Sequence, residues 1–367
     1  MNLGALILAA GYSSRMAGFK PLMTLGGATL LAHCARLFKV AGLRHITVVT
    51  GYRSDEVSKE AHRLGLSCIA NADYARGMFS SIKKGVSHLR QVDGFFLLPV
   101  DTPLIYPATV TRLISCFDGR SVILPVFDGE QGHPPLIPAQ FIPEILAHGG
   151  NGGLRTILNA RPRLEIPVWD RGVLLDADTA DDFAILVRRF SRLGCGEPEE
   201  AMALASQVMP DKGVAHGRAV AGVAVALGAR LNSRGCTLDL DRIHNGALLH
   251  DIGKGEPDHE VWGGELLKRL GLKGLAGIVA AHRSLPPPAD GHLTEKEIVC
   301  LADKLVRGTR RMSVKERFAE KLTLYADDPE ARAAVQRRMA EILALQEVVE
   351  QQAGCTVAEI VGGEPPE

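Results

Sequence analysis

The sequence has no surplus of charge of either sign: its 42 Lys and Arg residues are matched by 42 Asp and Glu, so no global basic field points to nucleic acid as a partner. It also has no cysteine framework. The seven cysteines, Cys34, Cys68, Cys116, Cys195, Cys236, Cys300 and Cys355, are odd in number and form no C-x-x-C pair. That argues against a disulfide scaffold or a zinc knuckle, and for a reduced, cytoplasmic setting. No apolar run reaches the roughly 20 residues a membrane helix needs, so no membrane partner is expected. The first apolar stretch has no basic segment before it and passes straight into a polar turn, unlike a secretory signal. Two familiar phosphate loops are missing too: there is no G-x-x-x-x-G-K-[ST], and no G-x-G-x-x-G follows the first apolar run.

What is present is organised around Leu3 to Leu25, LGALILAAGYSSRMAGFKPLMTL. The run Ala5 to Ala9 suits a strand buried on both faces. Beyond it, Gly11, Ser13 and Ser14 leave backbone N–H groups unobstructed, Arg15 and Lys20 add fixed positive charge, and Pro21 limits any helix before it. Those are the parts of a phosphate site. The alternation continues through helical periods at 28–40, 57–64 and 78–89 and strand patterns at 46–50, 67–70 and 94–100, which predicts an α/β unit with a mostly parallel sheet and helices on both faces. Ligands of such a sheet gather at the carboxyl ends of its strands. Asp101, in LLPVDTPLI, stands at such an end and reads as a magnesium ligand in preference to a helix cap.

The first loop resembles the L-A-A-G-x-S-x-R-M-G-x-x-K signature of the nucleotidyltransferases that include the molybdopterin cytidylyl- and guanylyltransferases and the sugar-phosphate nucleotidyltransferases. Ala17 precedes Gly18 where the family has Gly directly after Met. The resemblance implies a Rossmann-like domain whose nucleotide-binding residues are Ala9, Ala10, Gly11, Ser13, Arg15 and Lys20. Asp101 matches the L-x-x-D-x-P magnesium motif. NADYARGMFSS, with Asn71, Asp73, Gly77, Ser80 and Ser81, looks like the loop against the nucleotide base in the cytidylyltransferase branch. Gly132, His133 and Pro134 look like its G-H-P substrate-side turn, and Arg155 is a candidate anion contact. VLLDADTADD resembles the closing D-I-D-T-P-E-D, with Ala180 where Pro is usual, and implies Asp176 and Asp178 as further magnesium-side carboxylates. The implied catalytic groups are Arg15, Lys20 and Asp101. The implied partners are CTP or another NTP, molybdopterin or a similar phosphate acceptor, and a molybdoenzyme or its chaperone.

Length alone, 367 residues, favours two domains. The pattern changes after Phe183, and the expected division is a transferase domain over 1–190, a linker over 191–212, a helical domain over 213–350 and a tail over 351–367, whose final GGEPPE reads as disordered. Helical periods cover 214–231, 240–252, 259–270, 276–284, 294–307 and much of 315–352. His216, His250, Asp251, His259, His282 and Asp303 offer imidazole and carboxylate together, a donor set that suits iron, manganese or zinc. Their order, with HEVWGGELL, resembles the HD-domain metal-dependent phosphohydrolases over about 213–308. His216, His250, Asp251 and Asp303 match the family's one-metal site, His259 and His282 its longer two-metal pattern, and Lys254 is placed to meet a substrate phosphate. His244 and His292 have no match. Two whole-chain readings follow: a bifunctional transferase and phosphohydrolase, or an HD hydrolase or regulator with an N-terminal nucleotide sensor. The alternative acceptor to molybdopterin is a sugar or alcohol phosphate.

Overall fold

The computed structural model describes residues 1–16 and 18–362; Ala17 and the end of GGEPPE lie outside the described residues. The chain divides into two units, Met1–Ser191 and Arg192–Glu367.

The first unit is built on β1 (Leu3–Ala9), all seven residues of which are buried. The short β2 (Thr24–Leu25) and β3 (Ala28–Thr29) form a separate hairpin. Seven further strands join β1: β4 (His45–Thr50), β5 (Ser67–Ala70), β6 (Gly94–Pro99), β7 (Val122–Phe127), β8 (Glu130–Gln131), β9 (Leu136–Pro138) and β10 (Arg163–Pro167). The sheet order is β10-β7-β9-β6-β1-β4-β5, with β8 on β7. β1 runs parallel to both neighbours, Ala5 facing Ile46 on one side and Phe96 on the other. Only β8 and β9 run antiparallel. A continuous apolar run at the centre is what a strand covered on both faces requires, because neither face meets water.

The covering helices are α1 (Leu30–Val40), α2 (Ser54–Arg63), α3 (Met78–Val86), α4 (Pro107–Ser115), α5 (Ile142–Ala147), α6 (Gly153–Asn159) and α7 (Ala180–Arg192). Thr29 starts α1 by accepting the Ala32 N–H at 3.0 Å, a cap that the helical period at 28–40 had overrun by two residues. From β1 the chain adds strands on one side through β4 and β5, then crosses to place β6 on the other side of β1. That reversal opens a crevice above the carboxyl end of β1, between the ends of β4 and β6.

The second unit is helical: α8 (Pro198–Val208), α9 (Asp211–Asn232), α10 (Leu240–Leu248), α11 (His259–Leu270), α12 (Lys273–Ala281), α13 (Glu295–Lys304), α14 (Val314–Leu324), α15 (Pro329–Ala353) and α16 (Val357–Gly362), plus a small hairpin of β11 (Val306–Arg307) and β12 (Arg310–Arg311). The residues read as a linker thus hold all of α8, and those read as a tail hold α16, whose Val357 is buried. The Thr294 hydroxyl and the Glu297 carboxylate begin α13 as a capping box, the reciprocal arrangement that satisfies two free N–H groups at once.

By length and composition α9 is apolar enough to cross a membrane, against the expectation that no segment would be. Its apolar residues are spread around Arg218 and His216, so no unbroken run announced it. Val220, Ala224, Leu227 and Leu231 are fully buried in the unit's core with Ile243 and Leu248. Each such Leu or Ile contributes about 1.5–3 kcal/mol by leaving water.

Candidate functional site

In the first unit the loop after β1 turns back on itself at Ser13, which adopts a left-handed φ of 56°, and the Ser13 hydroxyl accepts the Lys20 N–H at 3.1 Å. Lys20 is thereby brought under the loop and largely buried. Its ammonium donates to Asp178 Oδ1 at 2.6 Å and to Asp101 Oδ2 at 3.0 Å. Arg15 reaches the other Asp178 oxygen at 3.0 Å, with its own side chain 71% exposed. The Ala177 N–H donates to the Asp101 carbonyl at 2.9 Å, so the segment carrying Asp176 and Asp178 is fastened beside Asp101. Burial opposes the charge of Lys20, but Asp178 and Asp101 outweigh it and hold its pKa above the ordinary value. The Lys20 hydrogen bond holds Asp178 below the usual carboxylate range. Asp176 is raised, by partial desolvation first and then by Asp178 and Asp101. Three carboxylates from two distant segments therefore share one edge of the sheet, a donor set that fits an oxygen-loving divalent cation such as magnesium.

A cavity of about 350 Å³ opens here, lined by Ala9, Ala10, Gly11, Ser13, Lys20 and Asp101 together with Tyr12, Tyr74, Gly77 and Ser81. Asn71, Asp73 and Ser80 line a separate cavity with Lys83, Lys84 and His148. The Asn71 amide is engaged within its own loop: it donates to the Ser80 and Ser81 hydroxyls at 2.9 and 3.0 Å and accepts the Asp73 N–H at 3.0 Å. The Ser80 hydroxyl in turn donates to the Asp73 and Gly77 carbonyls. These residues shape the loop that carries Tyr74 and Gly77, while Ser81, expected in the same base-side loop, reaches the first cavity. His133 is held by its main-chain N–H on the Val173 carbonyl at 2.8 Å. Burial lowers its pKa, and its Nδ1 is buried with no hydrogen-bond partner among the described residues. Arg155, on α6, is exposed.

The second unit gathers its ligand-type residues from five places: His216 on α9, His250 and Asp251 just past the end of α10, His259 at the start of α11, His282 at the end of α12 and Asp303 on α13. A close helix contact brings the first two together. A Cβ on Gly217 would lie 2.3 Å from the Leu248 carbonyl oxygen, so only glycine lets α9 approach α10 this nearly. Three imidazoles are oriented alike. Nδ1 of His216, His250 and His282 meets the carbonyls of Gly308, Ala247 and Val279 at 2.8, 2.7 and 2.6 Å, which leaves each Nε2 turned inward, the arrangement that fixes metal-binding histidines.

Two trios result, each with ligand atoms within 4.8 Å of one another: His216, His250 and Asp251, and Asp251, His259 and His282. Asp251 belongs to both. Asp303 Oδ1 stands 3.4 Å from His216 Nε2 and 3.6 Å from His250 Nε2, and Asp251 Oδ1 lies 3.7 Å from Nε2 of both His259 and His282. These spacings are long for hydrogen bonds and suit donors facing a common ion. Burial pushes His282 down to about 4 and lowers His250, so both rings are neutral near pH 7, the form that binds metal. His216 is raised, chiefly by the Asp303 carboxylate beside it. Burial disfavours ionised Asp303, yet Lys304 and His216 hold it well below the usual range. The donor chemistry fits two transition-metal ions sharing a carboxylate.

Lys254 is exposed and pairs with Asp251. Lys304, which the sequence did not single out, is buried and donates to Asp303 Oδ2 at 2.5 Å and to the His282 carbonyl at 3.1 Å. Its place beside Asp303 in CLADKLV was the only available signal, and adjacency in a helix says nothing about burial. His244 turns to its neighbour Asn245, at 2.9 Å, away from the cluster, and His292 is exposed.

Comparison with known proteins divides the chain in the same way. Residues 5–165 match the MobA-like NTP transferase domain, and residues 213–308 match the HD domain. The chain thus carries a MobA-like NTP transferase domain over residues 5–165 and an HD domain over residues 213–308. The transferase part is 28% identical over 192 residues to the molybdenum cofactor cytidylyltransferase of Escherichia coli, covering 52% of this chain and 98% of that one. It is 29% identical over 135 residues to an uncharacterized protein of Methanocaldococcus jannaschii, covering 32% of this chain and 80% of that one. Among solved structures, a nucleotidyl transferase from Methanothermobacter thermautotroptrophicus is 24% identical with a TM-score of 0.47, over 52% of this chain and 98% of that one. The crevice with Lys20 thus belongs to the transferase domain and the histidine cluster to the HD domain.

Proposed function

We propose that the transferase domain moves a cytidylyl group from CTP to the phosphate of molybdopterin, and that the HD domain hydrolyses a phosphate ester with two metal ions. The observation that carries the first part is the junction of Lys20 with both Asp101 and Asp178 at the end of β1, directly beside the loop that carries Gly11 and Ser13. An acceptor phosphate oxygen forms the new bond to the α-phosphorus while the bond to the bridging oxygen breaks, and pyrophosphate leaves with that electron pair. Phosphoryl-type transfers of this kind depend on positioning and charge neutralisation more than on covalent catalysis. Arg15 and Lys20 hold the triphosphate, and the amides of Gly11 and Ser13 take further oxygens. Asp101, Asp176 and Asp178 would hold magnesium, which supplies positive charge to the triphosphate when bound. The preference for CTP and for molybdopterin rests on the similarity to the cytidylyltransferase of Escherichia coli.

In the HD domain the supporting observation is the sharing of Asp251 by both histidine trios. His216, His250, Asp251 and Asp303 would hold one ion, and Asp251, His259 and His282 the second, of iron, manganese or zinc. Such ions supply Lewis acidity toward a phosphate group and its attacking water. Lys254, at the exposed rim, meets the substrate phosphate.

A panel of the four nucleoside triphosphates, each with molybdopterin and magnesium, tests the first part by pyrophosphate release. CTP is expected to give the fastest release; equal or faster release with GTP overturns the CTP assignment, and none with any triphosphate overturns transfer.

A further inference from the structure

We propose that Tyr12, Tyr52 and Tyr74 form a stacking shelf for a flat heteroaromatic ring at the mouth of the transferase cavity. The proposal rests on the nucleotidyl-transfer reading and assigns the part of its substrates that the phosphate loop does not hold. Three of the chain's five tyrosines meet in this one patch. Each follows the carboxyl end of a strand, Tyr12 after β1, Tyr52 after β4 and Tyr74 after β5, and these strands are consecutive in the sheet. Tyr12 is the middle ring, its centroid 5.3 Å from that of Tyr52 and 5.3 Å from that of Tyr74.

The patch is constructed, not incidental. The Tyr52 N–H donates to the Ala10 carbonyl at 3.1 Å, tying the β4 loop to the phosphate loop. A Cβ on Gly51 would lie 2.7 Å from the Tyr74 Cβ and 2.8 Å from that of Ala10, so the three loops close up only because that position is glycine. Phe19 extends the patch, 5.7 Å from the Tyr52 ring, and the Arg53 guanidinium lies over Phe19 at 4.7 Å.

Two of the rings nevertheless remain accessible to water. Tyr12 is 52% exposed and Tyr52 38%, Tyr74 is half-buried, and the planes within the two pairs are tilted by 44° and 59°, so the rings do not lie flat on one another. Tyr12 and Tyr74 line the same cavity as Lys20 and Asp101. A ligand with phosphates at Lys20 therefore has accessible tyrosine side chains next to it. The alternative contact for a ring, the Asn71 amide, has both donor and acceptor engaged within its loop. Stacking on such faces is tolerant of ring identity, because every base presents a π-face. Both substrates of the proposed reaction carry a flat heteroaromatic ring, the base of the nucleotide and the pterin of the acceptor.

The test titrates the full-length protein and its Tyr12→Ala and Tyr12→Phe variants with CTP, with inorganic triphosphate and with molybdopterin, by calorimetry. Tyr12→Ala is expected to weaken CTP by about tenfold or more, the loss that one stacking partner makes, while inorganic triphosphate stays within twofold and Tyr12→Phe binds like the parent. If CTP is unchanged and molybdopterin weakens instead, the shelf holds and its ring is the acceptor's. If Tyr12→Ala, folded by its thermal melt, binds all three ligands within twofold of the parent, the shelf is overturned while the transferase reading stands. A parent protein that binds none of the three overturns the transferase reading and the shelf together.

Discussion

The two domains build their sites from opposite materials. In the transferase domain the charged groups sit on loops at strand ends and neutralise one another: Lys20 bridges Asp101 and Asp178, and Arg15 closes on Asp178 from solvent. In the HD domain they come from helices and from the turns at helix ends and meet in a largely buried cluster. His250, Asp251, His282 and Asp303 are all buried, and the cluster is organised by main-chain carbonyls behind the rings. A loop site can rearrange around a large substrate; a helical site fixes small ligands in advance. Nucleotide transfer needs the first property, and metal-centred hydrolysis the second.

The contrast can be broken most completely at Asp251 and His250. The double variant His250→Ala with Asp251→Ala removes the shared carboxylate and a ligand of the first trio. It is expected to lose all bound transition metal by elemental analysis and all phosphohydrolase activity, while pyrophosphate release by the transferase domain stays within a few-fold. Collapse of both activities in a folded protein would mean that the two sites are coupled.

Asp101→Ala is the counterpart on the other side. Transfer should fall on the order of 1,000-fold, since a preorganised charge in the reaction centre is lost, with the metal content of the HD domain unchanged. Near-normal transfer at saturating magnesium would remove Asp101 from the site.

A smaller effect separates ligands from their supports. Lys304→Met leaves every ligand in place but frees Asp303 Oδ2 and the His282 carbonyl. Metal affinity, followed by chelator competition, should weaken about 10- to 100-fold, the usual result of removing an outer partner of a metal ligand. Lys304→Arg should recover part of that loss.

The smallest effect is expected at Arg15. Its side chain is 71% exposed and solvent screens it, so Arg15→Ala should slow transfer less than tenfold, while the buried Lys20→Met should slow it about 100-fold or more. Equal losses at the two positions would show that the loop closes over Arg15 during the reaction.

Much of this was readable from the sequence because the relevant signals are local. The apolar run of β1, the Gly and Ser turn after it and the Asp at the end of β6 follow from chain chemistry over a few residues. The metal donors His216, His250, Asp251, His259, His282 and Asp303 were singled out by their order, which resembles that of the HD domains, and the structure brings them near one another. What stayed hidden depends on contacts between distant segments. The sequence segment that carries Asn71, Asp73, Gly77, Ser80 and Ser81 did not show that the Asn71 amide would be tied to the Ser80 and Ser81 hydroxyls and to the Asp73 main chain within its own loop. Nor did the sequence show that α9 would combine membrane-like composition with a buried core position, because its hydropathy is the same in either setting. Sequence by itself determined which groups could bind phosphate and metal and on which kind of element each would stand. Tertiary structure alone decided which carboxylate two histidine trios share, that Lys304 lies buried behind Asp303, and that three tyrosines meet beside Lys20, because burial and sharing are properties of segments brought together from far apart in the chain.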